Sequence, residues 1–116
     1  MKRSAKAKTT TPAVKMQARI VATIRKIPRG KVSSYGAIAR AAGYPGYARQ
    51  VAQILHRLPG LQWHRVLGAG GEIKLRGDSA LEQCLRLQAE GVSFRGRRVN
   101  FSAHEFKFTK TKVRAR

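Results

Sequence analysis

The residues best suited to chemistry in this chain are Trp63, His64 and Arg65, which stand side by side before Val66. A lone tryptophan is usually part of a core. Next to histidine and arginine, however, it could line an aromatic pocket for an extruded nucleic-acid base, which is held by stacking and by hydrogen bonds to its edge. Arg76 follows shortly and could close such a pocket by lying over the base; the alternative is a solvated loop arginine.

Nucleophilic and metal chemistry have little support in the sequence. The single cysteine, Cys84, stands among leucines on a predicted helix, where a free thiol is usually inert core filling. His56 and His64 have no cysteine or carboxylate at catalytic spacing, and no Cys/His set has the spacing of a zinc site. The sequence therefore predicts no catalytic residue, no metal and no cofactor.

Arg49 follows the turn Tyr44-Pro45-Gly46 at the start of a predicted helix. It either binds a phosphate at the surface or enters a groove and fills the gap left by an extruded base. Ala48 and Ala52 flank it, and such small residues let a helix backbone approach DNA closely. Gln53 shares the polar face of this helix, so we expect all four residues to contact DNA.

Tyr35 stands at another predicted helix start, directly behind Ser33 and Ser34. A tyrosine there is either half-buried packing, or a phenol that presses on a phosphate and helps to rotate a nucleotide outward. The sequence leaves these two interpretations open.

Charge is the strongest bulk property of the chain: 25 Lys and Arg against 5 Asp and Glu, a net charge of +20. Nine of the basic residues lie in residues 1–8 and 107–116, so 16 remain against all five acids and the middle of the chain is still +11. A protein this basic is expected to bind a polyanion, nucleic acid above all. A basic ribosomal or chromatin-type protein is the less specific interpretation.

The elements that position these residues are predicted to be mainly helical. Hydrophobic periodicity, capping residues and breakers indicate four helices. The first three are predicted from Val14 to about Ile27, over Tyr35–Ala42 and over Tyr47–Leu58, the last with an apolar stripe that begins at Tyr47. The fourth is predicted to begin at a capping box formed by Ser79 and Glu82 and to end just before Gly91. The second and third, joined by a glycine-containing turn, form a helix-turn-helix pattern. Strand-like runs over Trp63–Leu67 and Glu72–Leu75 predict a hairpin, with one further weak strand around Val99–Phe101.

The fold class is therefore predicted as mainly α with a small β-hairpin wing, a single winged helix-turn-helix-like domain. We expect a basic flexible arm over residues 1–13, the DNA-binding domain over 14–106 and a basic flexible tail over 107–116. No apolar run reaches the roughly 18 residues that a membrane span needs. We expect a monomer with no membrane association, in the cytoplasm and nucleoid-associated in a prokaryote.

Three blocks of the sequence together resemble a known family. They are Val32–Ala39, Tyr44–Val51 and Trp63–Val66. In this order and spacing they resemble the C-terminal DNA-binding domain of O6-alkylguanine-DNA alkyltransferases, and more closely the alkyltransferase-like proteins. The resemblance covers roughly residues 15–105.

The resemblance implies a protein that is not an enzyme. Trp63 stands where the alkyltransferases carry the cysteine that accepts the alkyl group, and an indole is no acceptor. Their activating glutamate is expected at the position of Cys84, so that only His64 would remain of the residues that activate the acceptor. We therefore expect that Trp63→Cys alone would not restore alkyl transfer. Gln62 replaces the usual proline before the acceptor position, which we expect to loosen the pocket strand.

The resemblance also implies roles in binding. Arg49 matches the arginine that intercalates, Tyr35 the tyrosine that turns the 3′ phosphate, and Trp63 the floor of the lesion pocket, with His64 beside it. Arg76 matches an arginine that contacts the alkylguanine ring. The implied partner is double-stranded DNA containing alkylated guanine, bound from the minor groove by base flipping and flagged for nucleotide excision repair proteins.

Two other functions compete with this one. The first is a general nucleic-acid-binding architectural protein without lesion specificity, which would bind damaged and undamaged duplexes equally. The second is a residual alkyltransferase that uses Cys84, whose mass would increase after contact with alkylated DNA.

Overall fold

The structure, a computed structural model, describes residues 11–108, so most of the predicted arm (1–13) and tail (107–116) lies outside the described residues. In chain order its elements are α1 Pro12–Arg25, β1 Ser33–Ser34, α2 Tyr35–Ala41, α3 Ala48–Arg57, β2 Val66–Leu67, α4 Gly77–Ala89, β3 Phe94–Arg95, β4 Arg98–Val99 and α5 Phe101–His104. The predicted mainly helical class with a helix-turn-helix is confirmed.

Helix α1 begins where its sequence favours a start. The Thr11 hydroxyl accepts a hydrogen bond from the Val14 amide at 3.1 Å, and Pro12 occupies the first turn, where its missing N–H costs nothing. The helix buries Ile20 and Ile24 completely, and Pro28 follows its end. Its inner face therefore forms one side of the first core.

Helices α2 and α3 form the helix-turn-helix. The Ser34 hydroxyl caps α2 by accepting from the Ala37 amide at 3.1 Å, and Gly43, at φ +95°, supplies the left-handed residue that ends it. Tyr47, predicted to open the apolar stripe of α3, is exposed instead and occupies the cap position before the helix. The first core joins α1, α2 and α3 through Ile20, Ile24, Ile27, Ile38, Ala39, Ala42, Val51, Ile54, Leu61 and Val66.

The predicted hairpin over residues 63–75 is wrong in its location. Residues Trp63–Arg65 form a 3-10 turn, and β2 after it pairs in parallel with β1, Ser33 facing Val66 and Ser34 facing Leu67. Ala69–Gly71 form a second 3-10 turn, because consecutive glycines at positive φ curl the chain. The antiparallel hairpin of the described chain is β3–β4.

Helix α4 differs from its prediction at its start and in its buried face. It begins at Gly77, so the predicted capping box of Ser79 and Glu82 does not form. Leu81 and Leu85 are exposed and Cys84 is only half-buried, whereas Gln83 and Leu87 face inward. The physical reason is hydrogen bonding: the Gln83 amide donates to the buried carbonyl oxygens of His64 at 3.2 Å and Val66 at 3.0 Å.

A second core lies under α4 and the hairpin. Its buried members are Val32, Leu67, Leu87, Val92 and Val99. The end of the described chain is tied to the same region, since the Phe106 amide donates to the Val32 carbonyl at 2.8 Å. Phe106 and Phe108 meet each other edge to face, and both pack against the first core.

Candidate nucleic-acid interface and pocket

A cavity of about 280 Å³ opens between α2, α3, the first 3-10 turn and the start of α4. It is lined by Tyr35, Ala52, Leu55, His56, Trp63, Leu75 and Ser79. Its size is near the lower end of small-molecule pockets, roughly 300 to 1,000 Å³, and its lining combines two aromatic rings with aliphatic side chains. Such a cavity is suited to a flat heteroaromatic ring.

The β1–β2 pairing places the two aromatic walls of this cavity. Tyr35 is the first residue of α2 and follows β1 directly, and Trp63 opens the 3-10 turn that runs into β2. Burial raises the pKa of the Tyr35 phenol above its usual value, so the hydroxyl stays protonated and keeps its hydrogen-bond donor. Two residues distant in sequence thus line one cavity.

The outer face of α3 forms a shallow depression next to the cavity. Arg49, Gln53 and Arg57 line it, and Ala52 and His56 line both the depression and the cavity. Arg49 is exposed at the second position of the helix. A basic helix face therefore runs into an aromatic pocket. Ala48, also predicted to contact DNA, is half-buried at the first position of α3.

A buried ionic cluster lies behind the cavity. The Glu90 carboxylate accepts hydrogen bonds from His64 Nε2 at 2.8 Å, from Arg65 Nη2 at 2.7 Å and Nε at 3.0 Å, and from the Gly30 amide at 3.1 Å. Burial alone would raise the pKa of Glu90, but these hydrogen bonds outweigh it and hold the pKa at about 2. The carboxylate is therefore ionised, and His64 Nε2 carries the proton that is donated to it.

This cluster corrects two expectations. His64 does not line the cavity; it is buried behind it. The expectation that Cys84 has taken the place of the carboxylate partner of His64 is wrong, because Glu90 provides that carboxylate from the end of α4. The sequence signal that could have found it is simple: Glu90 is one of only five acidic residues and directly precedes the helix-ending Gly91.

The turn that carries Trp63 is held by further hydrogen bonds. Gln62 Nε2 donates to the Ile27 carbonyl at 3.2 Å, and Arg65 Nη1 donates to the same oxygen at 3.0 Å. Gln62, expected to loosen this segment, therefore anchors it. Sequence reasoning also missed four lining residues of the cavity: Leu55, His56, Leu75 and Ser79.

Arg76 lies next to the cavity without lining it. It is the exposed residue before α4, between the lining residues Leu75 and Ser79. Cys84 does not line the cavity either. Within residues 11–108, no cluster of three or more histidine, cysteine or acidic side chains is placed to hold a metal ion. In the same part of the chain no helix is long and apolar enough to cross a bilayer.

Comparison with known proteins agrees with this geometry. Residues 15–92 match the family model of the 6-O-methylguanine DNA methyltransferase DNA-binding domain. The chain belongs to the family of this DNA-binding domain. A DNA base-flipping protein of Vibrio parahaemolyticus is 50% identical over 76 residues, covering 63% of this chain and 76% of the relative. The alkyltransferase-like protein 1 of Schizosaccharomyces pombe is 51% identical over 72 residues, covering 58% and 67%.

Solved structures of the family show the same fold. The S. pombe Atl1 structure in complex with damaged DNA containing O6-carboxymethylguanine superimposes with a TM-score of 0.68 at 37% identity, covering 79% of this chain and 94% of that one. The family match of residues 15–92 includes every lining residue of the cavity as well as Glu90. The hairpin β3–β4 and helix α5 lie beyond it.

Proposed function

We propose that this alkyltransferase-like protein recognises O6-alkylguanine in double-stranded DNA without removing the alkyl group. The observation that carries the proposal is the position of Trp63, whose indole lines a cavity with Tyr35 beside the helix face that bears Arg49. In the proposed complex the protein binds from the minor groove, the alkylated base leaves the duplex and stacks on the indole, and Arg49 fills the gap.

The energetics favour damaged over intact guanine. Unstacking and unpairing a base costs a few kcal/mol, and less when alkylation has already weakened the pair. Stacking on an aromatic side chain returns about 1–3 kcal/mol, which is enough to offset the smaller cost at a lesion. A relative solved with DNA that contains O6-carboxymethylguanine supports this choice of lesion.

The absence of alkyl transfer is part of the proposal. By the family resemblance, Trp63 stands at the position of the acceptor cysteine of the alkyltransferases. An indole is not a nucleophile under these conditions, so it does not accept the alkyl group. Cys84 does not line the cavity, so its thiol is not placed to meet a bound base. We therefore expect the mass of the protein to be unchanged after incubation with O6-methylguanine DNA, which would exclude a residual transferase acting through Cys84.

The retained His64–Glu90 pair makes a sharper prediction about Trp63→Cys. His64 Nδ1 is buried and has no hydrogen-bond partner among the described residues, and we expect it to accept the proton of a thiol placed at the neighbouring position 63. In a Cys84→Ser background we expect that thiol to have a pKa below the usual value of about 8.5. The rate of alkylation by iodoacetamide against pH measures it.

Glu90→Gln in the same background is the matched control for the thiol. It removes the carboxylate charge behind the histidine to which the thiol would give its proton, so the pKa of the thiol should return towards its usual value. If the midpoint of the alkylation rate against pH lay near 8.5 both with Glu90 and in the Glu90→Gln variant, this would contradict a functional histidine–glutamate pair. A lowered midpoint in both would show that another group acts on the thiol.

The biological role proposed for the complex is to mark damage. By the family resemblance, the bound protein would flag the lesion to nucleotide excision repair proteins. We place it in the cytoplasm, on the nucleoid of a prokaryote, as a monomer. The net charge of +20 provides sequence-independent affinity that should fall steeply as salt rises.

Paired titration of one duplex with and without a single O6-methylguanine tests the proposal. At the same salt concentration we expect at least about tenfold tighter binding to the damaged duplex, equivalent to about 1.4 kcal/mol. Equal affinities would overturn lesion recognition and favour the general architectural protein, which the net charge alone would also support. Measuring both duplexes at each salt concentration separates lesion contacts from phosphate contacts.

A further inference from the structure

A cation lies against the indole on which the proposed function depends. Arg86, in the last turns of α4, has its guanidinium carbon 5.6 Å from the centroid of the Trp63 ring. This is within the distance of about 6 Å at which a cation is attracted to the face of an aromatic ring. Arg86 does not line the cavity, so this contact leaves the cavity lining free for a base.

The guanidinium is held in that position by a second residue. Glu82, one turn earlier on α4, accepts a hydrogen bond from Arg86 Nε at 2.9 Å, and the same carboxylate oxygen lies 2.7 Å from Arg86 Nη2 in an ion pair. Both side chains are about half exposed, so the pair contributes little to the stability of the fold. Its consequence is geometric, because the arginine conformer that is hydrogen-bonded to Glu82 is the one that reaches the indole.

The backbone and the side chain of Trp63 are positioned by different contacts. Hydrogen bonds of Gln62, Arg65 and Gln83 hold the backbone of the 3-10 turn. The indole itself meets the His64 ring edge to face, with centroids 6.1 Å apart, and the Arg86 guanidinium. His64 is fixed by Glu90, whereas Arg86 is the exposed component of this arrangement.

We propose that Arg86, held by Glu82, is a positioning residue that sets the orientation of the Trp63 indole and thereby the preference for an alkylated base. This inference rests on the proposed function. It assigns Arg86 to lesion specificity and not to general DNA affinity. The distinction matters because any exposed arginine of so basic a protein contributes to phosphate binding.

The test compares Arg86→Met and Glu82→Gln with Arg95→Met, which removes the same charge from the exposed hairpin. The lesion ratio is the affinity for the O6-methylguanine duplex divided by the affinity for the unmodified duplex. Arg86→Met should lower this ratio about two- to fivefold, which corresponds to the loss of an exposed cation–π contact. Arg95→Met should leave the ratio unchanged.

Glu82→Gln separates positioning from charge. It makes the protein more basic, so a purely electrostatic role predicts equal or tighter binding to every duplex. Positioning predicts that the lesion ratio falls while the affinity for unmodified DNA does not. An unchanged ratio in both Arg86→Met and Glu82→Gln would overturn the role of Arg86.

Fluorescence of the free protein gives an independent measurement, because Trp63 is the only tryptophan of the chain. Acrylamide should quench it more strongly in Arg86→Met and Glu82→Gln than in the wild-type protein or Arg95→Met. Unchanged quenching would show that Arg86 does not hold the indole. If the wild-type protein itself had a lesion ratio of one, the proposed function would fail first, whatever the variants did.

Discussion

Replacing Glu90 by alanine should lower the free energy of unfolding by about 3 kcal/mol at neutral pH. Removing one partner of a buried ion pair typically costs about 3–5 kcal/mol, because the remaining groups stay buried without compensation. Here the groups left behind are His64 and Arg65, both with little exposure. The lowered pKa of Glu90, about 2 against an ordinary 4.5, leads to a similar figure of about 3 kcal/mol.

The same shift fixes the pH dependence of this effect. Because the folded state lowers the pKa of Glu90, its contribution is fully present above the unfolded value of 4.5 and is lost as the pH falls towards 2. Urea unfolding of the wild-type protein and Glu90→Ala at pH 7 and at pH 3 measures it. The difference between the two proteins should shrink at the lower pH.

Glu82→Ala is the matched control for Glu90→Ala. It removes a glutamate that also binds an arginine, but at the surface, where such a pair within one helix contributes about 0.3–0.5 kcal/mol. Comparable losses for the two variants, or a loss at Glu90 that does not depend on pH, would contradict the buried cluster as the source of stability.

Arg49→Ala should weaken binding to an O6-methylguanine duplex about tenfold more than binding to the unmodified duplex. In the proposed complex this side chain occupies the space of the extruded base, and base-stacking and cation–π contacts of this kind are each worth about 1–2 kcal/mol. If the protein bound DNA without flipping a base, Arg49 would be only one of many phosphate contacts, and its loss would weaken binding to both duplexes equally. Titrations of both duplexes at one salt concentration measure the difference.

Arg57→Ala is the corresponding control for Arg49→Ala. Arg57 lines the same depression on α3, but its guanidinium donates a hydrogen bond to Gln17 Oε1 at 2.9 Å. We expect it to lower both affinities by the same factor, because it removes only a phosphate contact. Equal effects of the two substitutions on both duplexes would count against base flipping by this protein.

The helix-turn-helix could be predicted from local signals alone. Ser34 as a cap, Gly43 as a helix end and the Pro45-Gly46 turn each act over a few residues, so the bounds of α2 and α3 were predicted to within one residue. Tyr35, Ala52 and Trp63 were also singled out from the sequence, and the structure brings these three into one cavity. Their roles in DNA binding stay predictions.

What could not be predicted depends on contacts between distant segments. The pairing of Ser33–Ser34 with Val66–Leu67 joins residues about 33 positions apart, and no local pattern specifies a ladder of two residues. The residue type of Gln83 suggests a surface position, and only the fold brings the carbonyl oxygens of His64 and Val66, from a distant segment, within hydrogen-bond distance of its amide. Glu90 was missed for a similar reason, since its partners stand 25 and 26 positions away.

The short ladder between β1 and β2 has a kinetic consequence. Tyr35 and Trp63 are attached to its two strands, so the cavity that we propose as the receptor for the base is assembled before any DNA arrives. A preorganised receptor has no loop to order on binding. If the proposed base flipping holds, the slow step would be the spontaneous opening of the base pair, and pairs that open more often would be captured more often. Damage search by this protein would accordingly track how loosely each guanine is held in its helix.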